Sequence, residues 1–137
     1  MGSRSRPKIL LEVSGCTLLH NESGRIAPMD DCIFCKIAAG SVPVEALYED
    51  DRVVAFADKN PQAPVHLLFI PRQHFASVSH TPATLLGHLL AQASEYATRE
   101  LPEGYRLVIN TGEDGGQTVH HLHVHLLGGR AMHWPPG

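Results

Sequence analysis

Three histidines spaced by single aliphatic residues, His121-Leu122-His123-Val124-His125, are the stretch of this chain best suited to do chemistry. On extended backbone successive side chains point to opposite faces, so the three imidazoles share one face while Leu122, Val124 and Leu126 share the other. Same-face neighbours lie about 6–7 Å apart, close enough for several rings to converge on one phosphate or metal ion. A helix would turn His123 away from the other two. Tags and loose metal-binding tracts are usually unbroken or terminal and lack a matching apolar face, which sets them apart from this run.

The elements that must position these rings can be read from the rest of the chain. At 137 residues, 43% hydrophobic and 18% charged, it is long enough for one domain with a real core. A net charge of -3 gives no electrostatic reason to expect nucleic acid. No apolar run approaches the ~20 residues of a membrane span, and the Ile9-Leu10-Leu11 run breaks at Glu12 before a signal core forms. The expectation is a soluble, cytoplasmic protein with neither nucleic acid nor membrane as partner. Three cysteines, two of them in Cys32-x-x-Cys35, suit a reducing compartment and a metal or redox site better than a disulfide framework.

Residues 1–28 lead with Arg4, Arg6 and Lys8 and lack periodicity, so they read as a flexible extension or leader, with the domain over residues 29–137. A short helix is expected from Ile33 to Ala39, stopped by Gly40. Strand-like runs follow at 46–49, 53–57 and 66–71, separated by Glu49-Asp50-Asp51 and Asp58-Lys59-Asn60-Pro61. Thr81 and Pro82 read as N-cap and first residue of a long helix ending near Glu100, with Leu85, Leu86, Leu89, Leu90, Ala93 and Tyr96 on one face. Two more strands, 105–110 and 121–127, flank the Gly-rich loop Gly112-Glu113-Asp114-Gly115-Gly116-Gln117. The sum is an α+β domain: a five-stranded, mainly antiparallel sheet with one long and one short helix.

With Asn60-Pro61-Gln62-Ala63-Pro64-Val65-His66, Asp114-Gly115-Gly116-Gln117-Thr118-Val119, the three histidines, and Gly128-Gly129-Arg130 followed by Met132-His133-Trp134-Pro135-Pro136-Gly137, the chain resembles the histidine triad (HIT) proteins of the HINT nucleotide-binding branch. The resemblance covers about residues 32–137. It implies the HIT fold, a homodimer whose two sheets join, and hydrolysis of purine nucleoside phosphoramidates and acyl-nucleotides without a catalytic metal. It makes His123 the nucleophile that takes the nucleotidyl group, with His125 and His66 on the phosphate and His121 completing the triad. One of His125, His66 or His123 must supply the proton the amine needs to leave. Imidazole can act as nucleophile, anion donor and proton source near neutrality.

For the purine nucleotide (AMP/GMP-type) ligand, the resemblance assigns phosphate contacts to Gly115, Gly116, Gln117 and Thr118, where relatives often carry Ser in place of Thr118. Asp58 is assigned to the two ribose hydroxyls, and Asn110 to the ribose or the phosphate. Ile33, Phe34, Ile37 and Phe56 would form the base slot, unless they are simply core, and Trp134 would reach toward the partner's site. Where Cys-x-x-Cys occurs in this branch, the resemblance joins Cys32, Cys35, His74 and His121 in a structural zinc site, expected to be remote enough from His123 to stabilise without catalysing. Two thiolates and two imidazoles are a tetrahedral set that zinc prefers. His120, where relatives commonly have Tyr, falls on the opposite strand face and reads as core or interface. The competing functions are a nucleotide-binding scaffold and a dinucleoside polyphosphate hydrolase; DNA-adenylate repair fits the acidic balance least.

Overall fold

The computed structural model describes residues 31–137, so the expected extension at 1–28 and the domain start at Met29 lie outside the described residues. Helix α1, Ile33–Ala38, starts at Cys32, whose Sγ accepts the Cys35 N–H at 3.3 Å, and is followed by Gly40 at φ +83, a conformation that favours glycine. Strands β1 (Tyr48–Glu49), β2 (Val53–Ala57) and β3 (Val65–Pro71) come next, then helix α2 (Ala83–Glu100), β4 (Tyr105–Val108) and β5 (Val124–Gly128). All neighbours pair antiparallel in the order β1-β2-β3-β5-β4, which is the five-stranded α+β architecture the sequence implied.

Strand alternation divides the core into two layers. Val53, Ala55, Leu67, Phe69, Leu122, Val124 and Leu126 pack with Leu89, Ala93 and Ala97 of α2. Val54, Phe56, Leu68 and Ile70 pack on the other face with Cys32, Phe34 and Cys35 around α1. His66, His121, His123 and His125 alternate with the first set, so they share the α1 side of the sheet. The β1–β2 turn is set by Asp50, whose Oδ1 accepts the Arg52 and Val53 N–H groups at 2.8 Å, while its Oδ2 takes Tyr48 Oη at 2.6 Å and His88 of α2 at 2.7 Å. These charge-assisted bonds hold the Asp50 carboxyl below the usual range even though burial pushes it up.

Several boundaries differ from the sequence reading. The strand expected from His121 begins only at Val124. The β3–β5 register pairs Phe69 with Val124, so the next outward partner for Leu122 would be Pro71, which has no N–H to extend the ladder. Leu122 instead donates its N–H to the Phe75 carbonyl at 2.7 Å. Helix α2 starts at Ala83 with Pro82 as its N-cap, because Thr81 closes a 3-10 turn at Val78–His80 and donates its hydroxyl to the Ser77 carbonyl. β1 keeps only the last two of its four expected residues, and β4 ends at Val108 rather than Asn110. His120 is exposed, not core, since the backbone bends over residues 119–121 before the strand begins.

Candidate active site and thiol–imidazole cluster

The histidine face splits into two clusters at His121. In the first, the ligating atoms of Cys32, Cys35, His74 and His121 all lie within 4.8 Å of one another, and all four residues are buried. Cys32 Sγ is 3.4 Å from His121 Nδ1, Cys35 Sγ is 3.1 Å from His74 Nδ1, and the two Nδ1 atoms are 3.1 Å apart. Tetrahedral zinc bonded to sulfur and nitrogen at about 2.0–2.3 Å would place its donors roughly 3.3–3.8 Å apart, so these residues fit the ion with little movement. His121 Nε2 donates to the Pro71 carbonyl at 2.9 Å, which fixes the tautomer with Nδ1 turned toward the thiols. The Cys32 thiol is held well below the usual range, first by its hydrogen bond with Cys35, against the opposing effect of burial and with further help from His121 and His74.

The second cluster holds His66, His123 and His125. His123 is 7% exposed, and its Nδ1–H donates to the His121 carbonyl at 2.7 Å, so its lone pair sits on Nε2. Its ring meets Phe34 edge-on at 5.1 Å and lies 5.0 Å from His125. His66 Nε2 is 2.9 Å from His125 Nδ1 and 3.3 Å from Asp58 Oδ2, and its Nδ1 accepts the Gln62 N–H at 2.9 Å. Burial lowers the pKa of all three rings, and the neighbouring His123 and His66 charges help push His125 down to about 4. The group is therefore neutral near pH 7, poised for nucleophilic and proton-transfer work.

The structure brings the expected residues together unevenly. The thiol cluster adjoins His123 through His121, which belongs to it by its side chain and holds His123 by its carbonyl. Both His66 nitrogens face protein groups. Gln117 is buried, with its amide donating to the Ala76 and Val119 carbonyls at 2.7 and 3.1 Å and its oxygen accepting from Gly112, so it braces the loop. The Gly116 and Gln117 N–H groups close that loop onto Glu113 and Gly112. A Cβ at Gly115 would lie 2.2 Å from the Thr111 carbonyl, which is why the chain has glycine there. Thr118 is exposed and Asn110 half-buried just beyond β4. Phe34 and Phe56 are buried and meet edge-to-face at 5.8 Å, whereas Ile33 is 42% exposed and Ile37 sits at the rim of that layer. Asp58 is half-buried, with Oδ1 taken by the Asn60 N–H at 2.8 Å. Trp134 is 81% exposed. The Gln62 N–H was missed as a site group, because a main-chain donor leaves no mark in residue type.

A model of the HIT domain matches residues 39–132. The chain is 54% identical over 112 residues to an uncharacterised HIT-like protein of Synechococcus elongatus, covering 79% of this chain and 98% of that one. It is 48% identical over 104 residues to the HitA protein of Neisseria gonorrhoeae, covering 73% and 97%. Among solved structures it is similar to a HIT family hydrolase from Legionella pneumophila, with a TM-score of 0.75 and 47% identity over 78% of this chain and all of that one.

Proposed function

The chain belongs to the HIT domain family, and from that premise we propose that it is a purine nucleoside phosphoramidate hydrolase of the HINT branch. The observation that carries the reading is the state of His123: neutral, buried against Phe34, with Nδ1–H anchored on the His121 carbonyl and Nε2 left as the nucleophile. Attack of Nε2 on phosphorus forms a P–N bond to His123 and breaks the bond to the amine nitrogen, which enters protonated with the substrate and leaves as the neutral amine, while the Nε2–H of neutral His125 donates a hydrogen bond to a phosphoryl oxygen. Water then cleaves the nucleotidyl-histidine, releasing the nucleotide and restoring the ring. His66 and Asp58 orient His125 rather than reach the phosphate. The Thr118 hydroxyl donates to a phosphate oxygen at the rim of the Gly-rich loop, while Asp58 accepts from the ribose hydroxyls and Asn110 donates to the ribose. The base rests on Ile33 and Ile37 with Phe34 and Phe56 behind them.

Cys32, Cys35, His74 and His121 would hold one structural zinc ion, which cross-links α1 to the segment preceding β5 and keeps no open position for a reacting water. Among the described residues no helix is long and apolar enough to cross a membrane, and a cytoplasmic protein fits the cysteine usage. A homodimer joined along β4 is supported by that strand's place at the sheet edge and by the exposure of Trp134. An open cavity of about 670 Å³ between residues 100–106 and 129–132 lies at the same edge, where a second copy could fill it. The alternative substrate is a dinucleoside polyphosphate, which the Trp134-Pro135-Pro136 tail disfavours by resemblance. Competing an adenosine phosphoramidate against a diadenosine polyphosphate in one preparation tests the reading: kcat/KM should favour the phosphoramidate, and the reverse preference would reject it. Turnover of neither above the level of His123→Ala would favour a binding scaffold.

A further inference from the structure

We infer that the main-chain N–H of Gln62, held through the Gln62 carbonyl by Arg130, selects the tautomer of His66 and through it makes His125 a hydrogen-bond donor. The inference rests on the reading of His123 and His125 as the reacting pair and names the groups that set up that pair. A backbone N–H can only donate, so the 2.9 Å contact from Gln62 requires a lone pair on His66 Nδ1. A neutral His66 must then carry its proton on Nε2, between His125 Nδ1 at 2.9 Å and Asp58 Oδ2 at 3.3 Å. With a proton facing it, His125 Nδ1 must be a lone pair as well, because two N–H groups cannot meet at that distance. The proton of a neutral His125 therefore sits on Nε2, the one ring nitrogen that His66 does not cover. Two successive hydrogen bonds carry a single choice from the loop to the site.

The loop is held for this task. Arg130 donates to the Gln62 carbonyl at 3.1 Å, and the Gln62 side chain donates to the Asn60 carbonyl at 3.0 Å. Gly129, at φ +90, lets Arg130 approach, since a Cβ there would lie 2.9 Å from Pro64. Gln62 and Arg130 are positioning residues, acting through His66.

The test is nitrogen-15 NMR of ring-labelled histidines in the resting protein near neutral pH. His66 and His125 should both be Nε2–H tautomers and His123 the Nδ1–H tautomer; an Nδ1–H form of His66 or His125 would overturn the inference. Replacing the Pro61–Gln62 amide by an ester removes the donor and should shift His66 and His125 together toward Nδ1–H. In the same variant kcat should fall by roughly tenfold to a hundredfold, the scale of a misplaced hydrogen-bond donor to the phosphoryl group, with KM changed less than about twofold. Unchanged tautomers in a folded ester variant would also overturn it. Arg130→Ala should populate the second tautomer and Arg130→Lys should restore the first; identical spectra for all three would remove Arg130 from the scheme. The tautomers are read without substrate, so their failure counts against this inference alone, while failure to cleave phosphoramidates counts against the proposed activity.

Discussion

His66, His123 and His125 favour their neutral forms in the folded chain, because burial penalises the imidazolium; neighbouring rings add repulsion at His123 and His125, while Asp58 opposes the shift at His66. Each folded pKa lies below its ordinary value of 6.5, so the unfolded chain binds more protons as the pH drops. Their contribution to stability is complete above about pH 6.5 and is lost as pH falls toward the folded value, about 4 for His125. A denaturant melt repeated across this window should show the midpoint falling on acidification. The His66→Gln, His125→Gln double variant should flatten that fall, and an equal fall in the variant would show that other groups are responsible. Activity should share the acid limb, since protonated His123 has no lone pair to attack with: log kcat/KM should decline below the His123 pKa, itself under 6.5. At this scale the sequence was informative about identity and silent about direction. That His121 turns to the thiols of Cys32, 89 residues earlier, was legible only through the family resemblance, since no local pattern encodes such a contact.

The helices and strands place these rings, and each can be challenged separately. Leu89 of α2 is fully buried against the sheet, and Leu89→Ala should cost about 2–5 kcal/mol of unfolding free energy, measurable by urea titration. Cys32 ties α1 to the segment before β5, so Cys32→Ser should lower metal content from one zinc per chain to near zero. The accompanying loss of about 2 kcal/mol would lower Tm by roughly 10 °C. Because the His121 carbonyl also holds His123, kcat should fall as well, though by less than about tenfold. Elemental analysis and calorimetry of one preparation check both, and wild-type protein without zinc would reduce the cluster to a buried hydrogen-bonded network. The periodic elements were legible: α2 by its Leu85, Leu89 and Ala93 face, and β2 and β3 by their β-branched and aromatic runs. The start of β5 was not, because it is decided by Pro71 standing opposite Leu122, a pairing that exists only once β3 and β5 are in register. Thr81 likewise looked like a helix cap until Ser77 provided a competing acceptor for its hydroxyl.

As a whole molecule the domain leaves β4 at the edge of its sheet and Trp134 in solvent, two features that a second copy would cover. Sedimentation should give a homodimer. Deleting residues 132–137 should then change leaving-group selectivity more than stability, while a monomer with full activity would reject the shared site. The family and fold were readable from four quoted segments and the alternation of apolar residues, whereas the proposed joining of two sheets rests on the resemblance and on a surface that no single chain completes. The central claim is that this architecture exists to present His123 Nε2 to phosphorus. Quenching turnover of an adenosine phosphoramidate and mapping the trapped adduct by mass spectrometry tests it most directly. The account predicts one adenylyl group on His123, absent in His123→Ala, whose turnover should fall on the order of 10⁴-fold or more; an adduct on His121, His125 or His66, or undiminished turnover by His123→Ala, would contradict it.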